Sequence, residues 1–472
     1  MHVFDTKVQY YKYRTLTEVA RFAFENRLDN AYYEIPKIII PGKKASTRCC
    51  IYKERAIIEE RVKLALSDED ESSIEVIDIA CDECPTSGFT VTESCRGCIA
   101  HRCEESCRFN AITFDEHQKA HIDKTKCVNC GKCASACQYS AIINRRRPCE
   151  IACKVSAISM SETGEAHIDK QKCVSCGACV YQCPFGAISD KSSIVKVVDM
   201  IKGSGAFENY KIYAVVAPSI SSQFTKVSLP QVITGIKQLG FYSVVEAALG
   251  ADLVADEEAL EMKERDFMTS SCCPSFVKLI EKHYPKFKEY VSPAPSPMIK
   301  LAEYLKKVDP TSKVVFIGPC IAKKEEARKV VHQGLVDAVI TFEELQALFD
   351  SRDLDLSSME ETILDNASYY GRIFARSGGL TDALKQALKE NNIERELNTI
   401  VGNGIEECKV NLMKMNRGVP KDTFMEGMSC VGGCIGGPCC LTHGPKDLSQ
   451  VDKYGKLAYE KTIKDAISIY EI

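Results

Sequence analysis

No stretch of the sequence approaches the roughly 18 consecutive apolar residues of a membrane-spanning helix, so membrane insertion is not expected. Met1 to Phe24 alternates polar and aromatic residues without the apolar core of a secretory signal, and the default location is the cytoplasm. Charge of one sign is lacking too: 61 basic against 65 acidic residues leave a net charge of -4. That balance leaves no footprint for nucleic acid. Tryptophan is absent. Cysteine is abundant instead, with 26 in 472 residues. A disulfide scaffold of this length would be unusual, and the cysteines cluster at CxxC spacings that suit metal ligation better than bridging. Iron-sulfur clusters in a reducing, anaerobic cytoplasm are the expectation, with structural zinc the competing assignment.

The length allows two or three domains. Residues 78–190 contain a duplication: Cys103 corresponds to Cys149, Cys107 to Cys153, His121 to His167 and Cys127 to Cys173, each pair 46 positions apart. Cys173, Cys176, Cys179 and Cys183, followed by Pro184, reproduce the bacterial ferredoxin run CxxCxxCxxxCP, in which three cysteines hold one cluster and the fourth reaches its neighbour. Cys127, Cys130, Cys133 and Cys137 repeat it with Gln138 in place of proline.

Pairing each run with upstream cysteines gives a wiring plan of 4Fe-4S clusters. Cys107 joins Cys127, Cys130 and Cys133; Cys137 joins Cys95, Cys98 and Cys103; Cys153 joins Cys173, Cys176 and Cys179. Cys149 and Cys183 are left two ligands short, because positions 141 and 144, where the repeat would supply them, are alanine and asparagine. Cys81 and Cys84 are the nearest spare pair, and whether they complete a fourth cluster or stay a silent thiol pair is open at this point. His101, His121 and His167 are assigned surface or packing roles.

Residues 1–77 form an amino-terminal segment of unknown role. IPKIIIPG around Pro36 reads as a short strand and turn, ERAIIEERVKLAL from Glu54 as an amphipathic helix, and the adjacent Cys49 and Cys50 as ordinary thiols. Beyond a boundary at 191–204 the texture changes. Apolar runs such as IYAVVAPS, YSVVEAALG and KVVFIGPC alternate with helical patterns, which marks buried parallel strands of an α/β domain over residues 191–472.

That domain carries three cysteine-bearing segments. In MTSSCCPSFVKLIEKHYP, Cys272 and Cys273 precede a helix whose positive end favours thiolate or an anionic cluster. In GPCIAKKEEA, Cys320 opens a helix, and Lys323 can turn back toward it while Glu326 fixes the lysine. EGMSCVGGCIGGPCC, from Glu426 to Cys440, places Cys430 and Cys434 one helical turn apart among glycines that allow close backbone approach.

TSSCCP, GPCIAKKEEA and EGMSCVGGCIGGP resemble, in order, the three signature segments of the FeFe (iron-only) hydrogenases, in the spelling of a divergent branch of monomeric ferredoxin-linked enzymes. The resemblance spans residues 78–472. It implies an α/β domain with two lobes of mostly parallel sheet and flanking helices, preceded by α+β ferredoxin-like modules. It also implies an H-cluster: a 4Fe-4S cube joined through a cysteine sulfur to a di-iron unit with carbon monoxide, cyanide and azadithiolate ligands.

By that resemblance Cys273, Cys320, Cys430 and Cys434 hold the cube, with Cys434 as the bridge, and Cys272 is the proton donor. Glu258, Glu261 and Ser292 would carry the proton outward. Lys323 would anchor a cyanide together with Ala217, Pro218, Ser219, Ser296 and Pro297, and Met428 would pack beside the di-iron unit. Gly318 stands where the family usually has methionine, which is expected to loosen one wall of the pocket. Cys439 and Cys440 have no counterpart.

The implied activity is reversible reduction of protons to hydrogen with electrons from a ferredoxin, after maturation proteins install the di-iron unit. The run Arg145, Arg146 and Arg147 is a candidate for attracting the carrier. Two other functions compete: a hydrogen sensor with slow turnover, and a non-catalytic cluster carrier of iron-sulfur assembly.

Overall fold

A computed structural model describes residues 4–67 and 72–468. Two parallel sheets form the frame of the large carboxy-terminal domain. The first has four strands in the order Ser243–Glu246, Ile212–Val216, Lys313–Ile317, Ala338–Ile340, and the second has three in the order Phe267–Thr269, Thr423–Met428, Asn398–Asn403. Burial on both faces explains the continuous apolar runs: Ala214, Val215, Val315 and Ile317 are all fully enclosed. Parallel strands put their carboxyl ends on one side, where loops and helix starts gather around a cavity.

The amino-terminal helices Lys7–Phe24, Ala31–Ile39 and Ile51–Leu66 share one apolar core with the first sheet, through Leu16, Val19, Ile35 and Val62. The segment around Pro36 is thus a helix and not a strand and turn. Ile35 and Ile39, one turn apart, are buried in that core, and this tertiary gain outweighs the single amide that Pro36 cannot donate. Residues 1–3 and 68–71 of the segment lie outside the described part.

The two ferredoxin-like modules correspond element by element. Helix Arg102–Glu105 answers Pro148–Ala152, and Lys132–Ala136 answers Ala178–Gln182. Hairpin Ile112–Phe114 with Ala120–Ile122 answers Ile158–Met160 with Ala166–Ile168. Among the described residues no helix is long and apolar enough to cross a membrane.

Candidate metal centre and its wiring

Each cysteine motif of the large domain sits where a strand ends and a helix starts. Cys273 caps helix Pro274–His283, and Cys320 caps Ile321–Ala327 directly after strand Lys313–Ile317. Strand Thr423–Met428 delivers Cys430, and Cys434 follows across Gly432 and Gly433. Gly433 is required: its φ is +89°, and a Cβ there would meet the Ala375 carbonyl oxygen at 2.7 Å. Gly437 likewise lets the chain pass close to Pro319, since a Cβ there would lie 2.7 Å from the Pro319 carbonyl, beside Cys320.

The four cysteines line one cavity, together with Cys272, Lys323, Ala217, Pro218, Pro297 and Met428. Burial pushes the thiols of Cys320 and Cys434 up, to about 12 and about 11. Four thiolates gathered here need a cationic metal to hold their charge, which suits iron. The hydroxyl of Ser429, at the cavity wall, has no protein partner and is available to a bound group.

Lys323 is buried, and its ammonium donates to Glu326 Oε2 at 2.8 Å and to the Cys272 carbonyl at 3.4 Å. Burial would lower its pKa, but Glu326 outweighs that and keeps it charged. Ser296 donates to the same carboxylate oxygen at 3.0 Å, so it positions the lysine and does not line the cavity itself. Ser219 is buried with an unpartnered hydroxyl, one residue behind Pro218, and is not among the lining residues.

Cys272 does not behave as helix geometry alone predicts. Its thiol is held well above the usual range by burial, reinforced by Cys273, Glu258 and Cys434, so it stays protonated. Glu258 is fully buried with neither carboxyl oxygen partnered, and burial raises it to about 8. Ser292 and the Ser271 amide face it and oppose that shift, without completing a hydrogen bond. Glu261, one helical turn on, is partly exposed and pairs with Arg265 at 3.1 Å.

Gly318 does not loosen the pocket. A Cβ at that position would lie 2.7 Å from the Phe316 ring, which lines the cavity and fills the space. Sequence reasoning also missed Met298 and Phe374 in the wall, and Glu426, a buried carboxylate that acts on Cys272 and accepts from Thr381 and Gly378. All three belong to ordinary helix and strand patterns and carry no local signal. Cys439 and Cys440 are buried, and the Cys440 thiol donates to the Ile435 carbonyl at 3.4 Å.

The accessory cysteines fall into sets. Cys107, Cys127, Cys130 and Cys133 line one small cavity. The Cys103 thiol lies within electrostatic reach of Cys137 and Cys98, and Cys95 packs in the same core. Cys176 has Cys173 and Cys153 beside it, then Cys273 of the large cavity, and Cys430 in turn feels Cys176. One accessory set therefore adjoins the four cysteines of the large cavity. Of the histidines, His101 stacks on Phe114 at 3.7 Å, His121 meets Asp115, and His167 is exposed. Arg147 is buried and bonds the Pro85 and Gly164 carbonyls, which leaves only Arg145 and Arg146 on the surface of that run.

An apolar-walled cavity ringed by four cysteines, with a protonated thiol, a buried ammonium and a line of thiolate sets leading to it, defines an iron-sulfur oxidoreductase. Residues 210–438 match the model of the iron only hydrogenase large subunit, C-terminal domain, residues 166–189 a 4Fe-4S binding domain, and residues 94–141 a 4Fe-4S dicluster domain. Iron hydrogenase 1 of Clostridium pasteurianum is 31% identical over 395 residues, covering 72% of this chain and 68% of that protein. The cytosolic Fe-S cluster assembly factor NAR1 of Kluyveromyces lactis is 28% identical over 161 residues, 32% of this chain and 34% of that one. An FeFe hydrogenase structure from Chlamydomonas reinhardtii aligns with a TM-score of 0.47 at 22% identity, over 55% of this chain and 88% of its own. The chain belongs to the FeFe, or iron-only, hydrogenase family. The donor set fits the cofactors of that family, an H-cluster and additional 4Fe-4S clusters.

Proposed function

We propose that this chain catalyses the reversible reaction 2 H⁺ + 2 e⁻ to H₂, with electrons exchanged with a ferredoxin-type carrier. The observation that carries the reading is a fifth, buried cysteine, Cys272, lining the same cavity as Cys273, Cys320, Cys430 and Cys434. When bound, the di-iron unit supplies the metal at which protons and electrons combine. The chain's own part is to hold the cube on four thiolates, exclude water with an apolar wall, and deliver protons one at a time.

Cys272 Sγ holds a proton at the cavity wall. Glu258, raised to about 8, keeps a neutral carboxyl behind it that can restore that proton, with Ser292 between helix and loop and Glu261 at the partly exposed end. Lys323, held by Glu326 and Ser296, presents a fixed positive charge to anionic ligands. The set that includes Cys176 adjoins Cys430 and would hold the accessory cluster that exchanges electrons with the cube.

A cluster-assembly role, as the name of NAR1 describes for that protein, needs the cube ligands only; it gives no reason for a buried thiol donor, a charged Lys323 and Met428 in the wall. A sensor would share the centre and differ in rate. Infrared spectra of anaerobic protein made with and without hydrogenase maturation proteins test the proposal. Carbonyl and cyanide bands that appear only after maturation and shift under hydrogen are expected. Iron-loaded, matured protein with no bands would overturn it.

A further inference from the structure

The repeat leaves the second module two ligands short, and the chain path shows why. Strand Ile74–Val76 pairs antiparallel with Ile188–Asp190, so residues 74–76 already belong to the second module. The next segment stays there: the Ala166 amide donates to Cys81 Sγ at 3.3 Å, Ser87 donates to Glu150 at 2.6 Å, and buried Arg147 ties the Pro85 carbonyl to Gly164. Only then does the chain leave. Gly88–Val91 pairs antiparallel with Ile142–Arg145, a two-stranded neck whose far side carries the whole first module and whose near side returns to Arg147.

We infer that the first ferredoxin-like module is inserted into the second, and that Cys81, Cys84, Cys149 and Cys183 form a complete fourth accessory 4Fe-4S site split by the insertion. In the first module Cys95 accepts from the Ala120 amide at 3.5 Å; in the second, Cys81 accepts from Ala166, which is the repeat equivalent of Ala120. Cys137 accepts from Ala141 at 3.4 Å, and Cys183 from Ala187 at 3.3 Å, again repeat equivalents. Cys81 and Cys84 thus stand in the places of Cys95 and Cys98 although they precede them in sequence.

The four sulfurs are neighbours. Cys81, Cys149 and Cys183 share one apolar cluster, the Cys149 thiol lies within electrostatic reach of Cys183 and Cys81, and the Cys84 thiol within reach of the same two. Their match to the ligand positions of the first module favours a cube over zinc. Thiolates on one zinc at about 2.3 Å would stand about 4 Å apart. Among the described residues no three of these sulfurs lie within 4.8 Å of one another; the one such group, Asp190, Glu343 and Cys439, already has the ammonium groups of Lys12 and Lys324 on its carboxylates. Cys81, Cys84 and Cys149 lie outside both ferredoxin models, which cover 94–141 and 166–189.

Full-length protein produced without maturation proteins and loaded anaerobically with ⁵⁷Fe and sulfide tests this independently of hydrogen turnover. Mössbauer spectra and iron analysis of Cys84→Ala and Cys149→Ala should each show about four irons fewer per chain than wild type, with Cys50→Ala unchanged. Wild-type iron in both variants overturns the site. Should the variants fail to fold, the wild-type count decides: about five cubes per chain support the fourth accessory site, and about four refute it.

Discussion

The cavity of the large domain and the inserted module both gather cysteines in fours, yet they are built to opposite ends. Around the cavity, four buried groups besides the four cube ligands are enclosed: Cys272, Lys323, Glu258 and Glu426. In residues 88–145 no polar or charged side chain is buried, and Cys98 and Cys130 reach the surface. Moving an electron requires a metal group near the surface and backbone amides on its sulfurs. Moving a proton requires titratable groups paid for with desolvation, and these are found at one end only.

The sharpest way to break this contrast is Cys272→Ala. General acid catalysis contributes about 10²- to 10⁴-fold, so hydrogen turnover of the matured variant should fall by that range while infrared bands persist. Retained turnover would show that the thiol is only part of the wall. Next in size is Glu258→Gln, expected to lower turnover about 10²-fold. It also has a pH signature. Because the native carboxyl titrates near 8 and the unfolded one near 4.5, its protonated form stabilises the fold below about pH 4.5, and that contribution is lost as pH rises toward 8. Urea melts at about pH 5 and about pH 8 should show a shallower loss for the glutamine variant; equal slopes would place the carboxyl in contact with water.

The inserted module should answer differently. Cys130→Ala removes a ligand at the exposed end, so carrier-driven turnover should drop at least about tenfold, while turnover with a small viologen that reaches the host module directly stays within about twofold. Equal losses with both donors would mean that electrons enter elsewhere.

Much of this was legible in the sequence because thiolate spacing is local. Cys320 opens a helix after a strand, and Lys323 meets Glu326 as the three-residue spacing requires. What was not legible depends on contacts distant in the chain. Pro36 lies in a helix because of Ile35 and Ile39 packing, Phe316 occupies the space beside Gly318, and the Cys272 thiol answers to burial more than to the adjacent helix. Fixed repeat spacing did not supply the second module's missing ligands; Cys81 and Cys84 stood out only as the nearest spare pair, because an insertion places them upstream of the module they would complete.

The smallest expected effect concerns the surface of the neck. Arg145 and Arg146 are exposed beside Ile143, whereas Arg147 is 3% exposed and holds Pro85 and Gly164. Reversing all three charges would therefore confuse docking with unfolding. Reversing Arg145 and Arg146 alone removes a rim attraction for an acidic carrier, and rim charges act mainly on encounter and its salt dependence. The KM for reduced ferredoxin should rise about two- to fivefold at low ionic strength, with kcat unchanged and the difference fading as salt is added. An unchanged KM at low salt would move the docking face away from the neck, toward the Cys98 and Cys130 end of the inserted module.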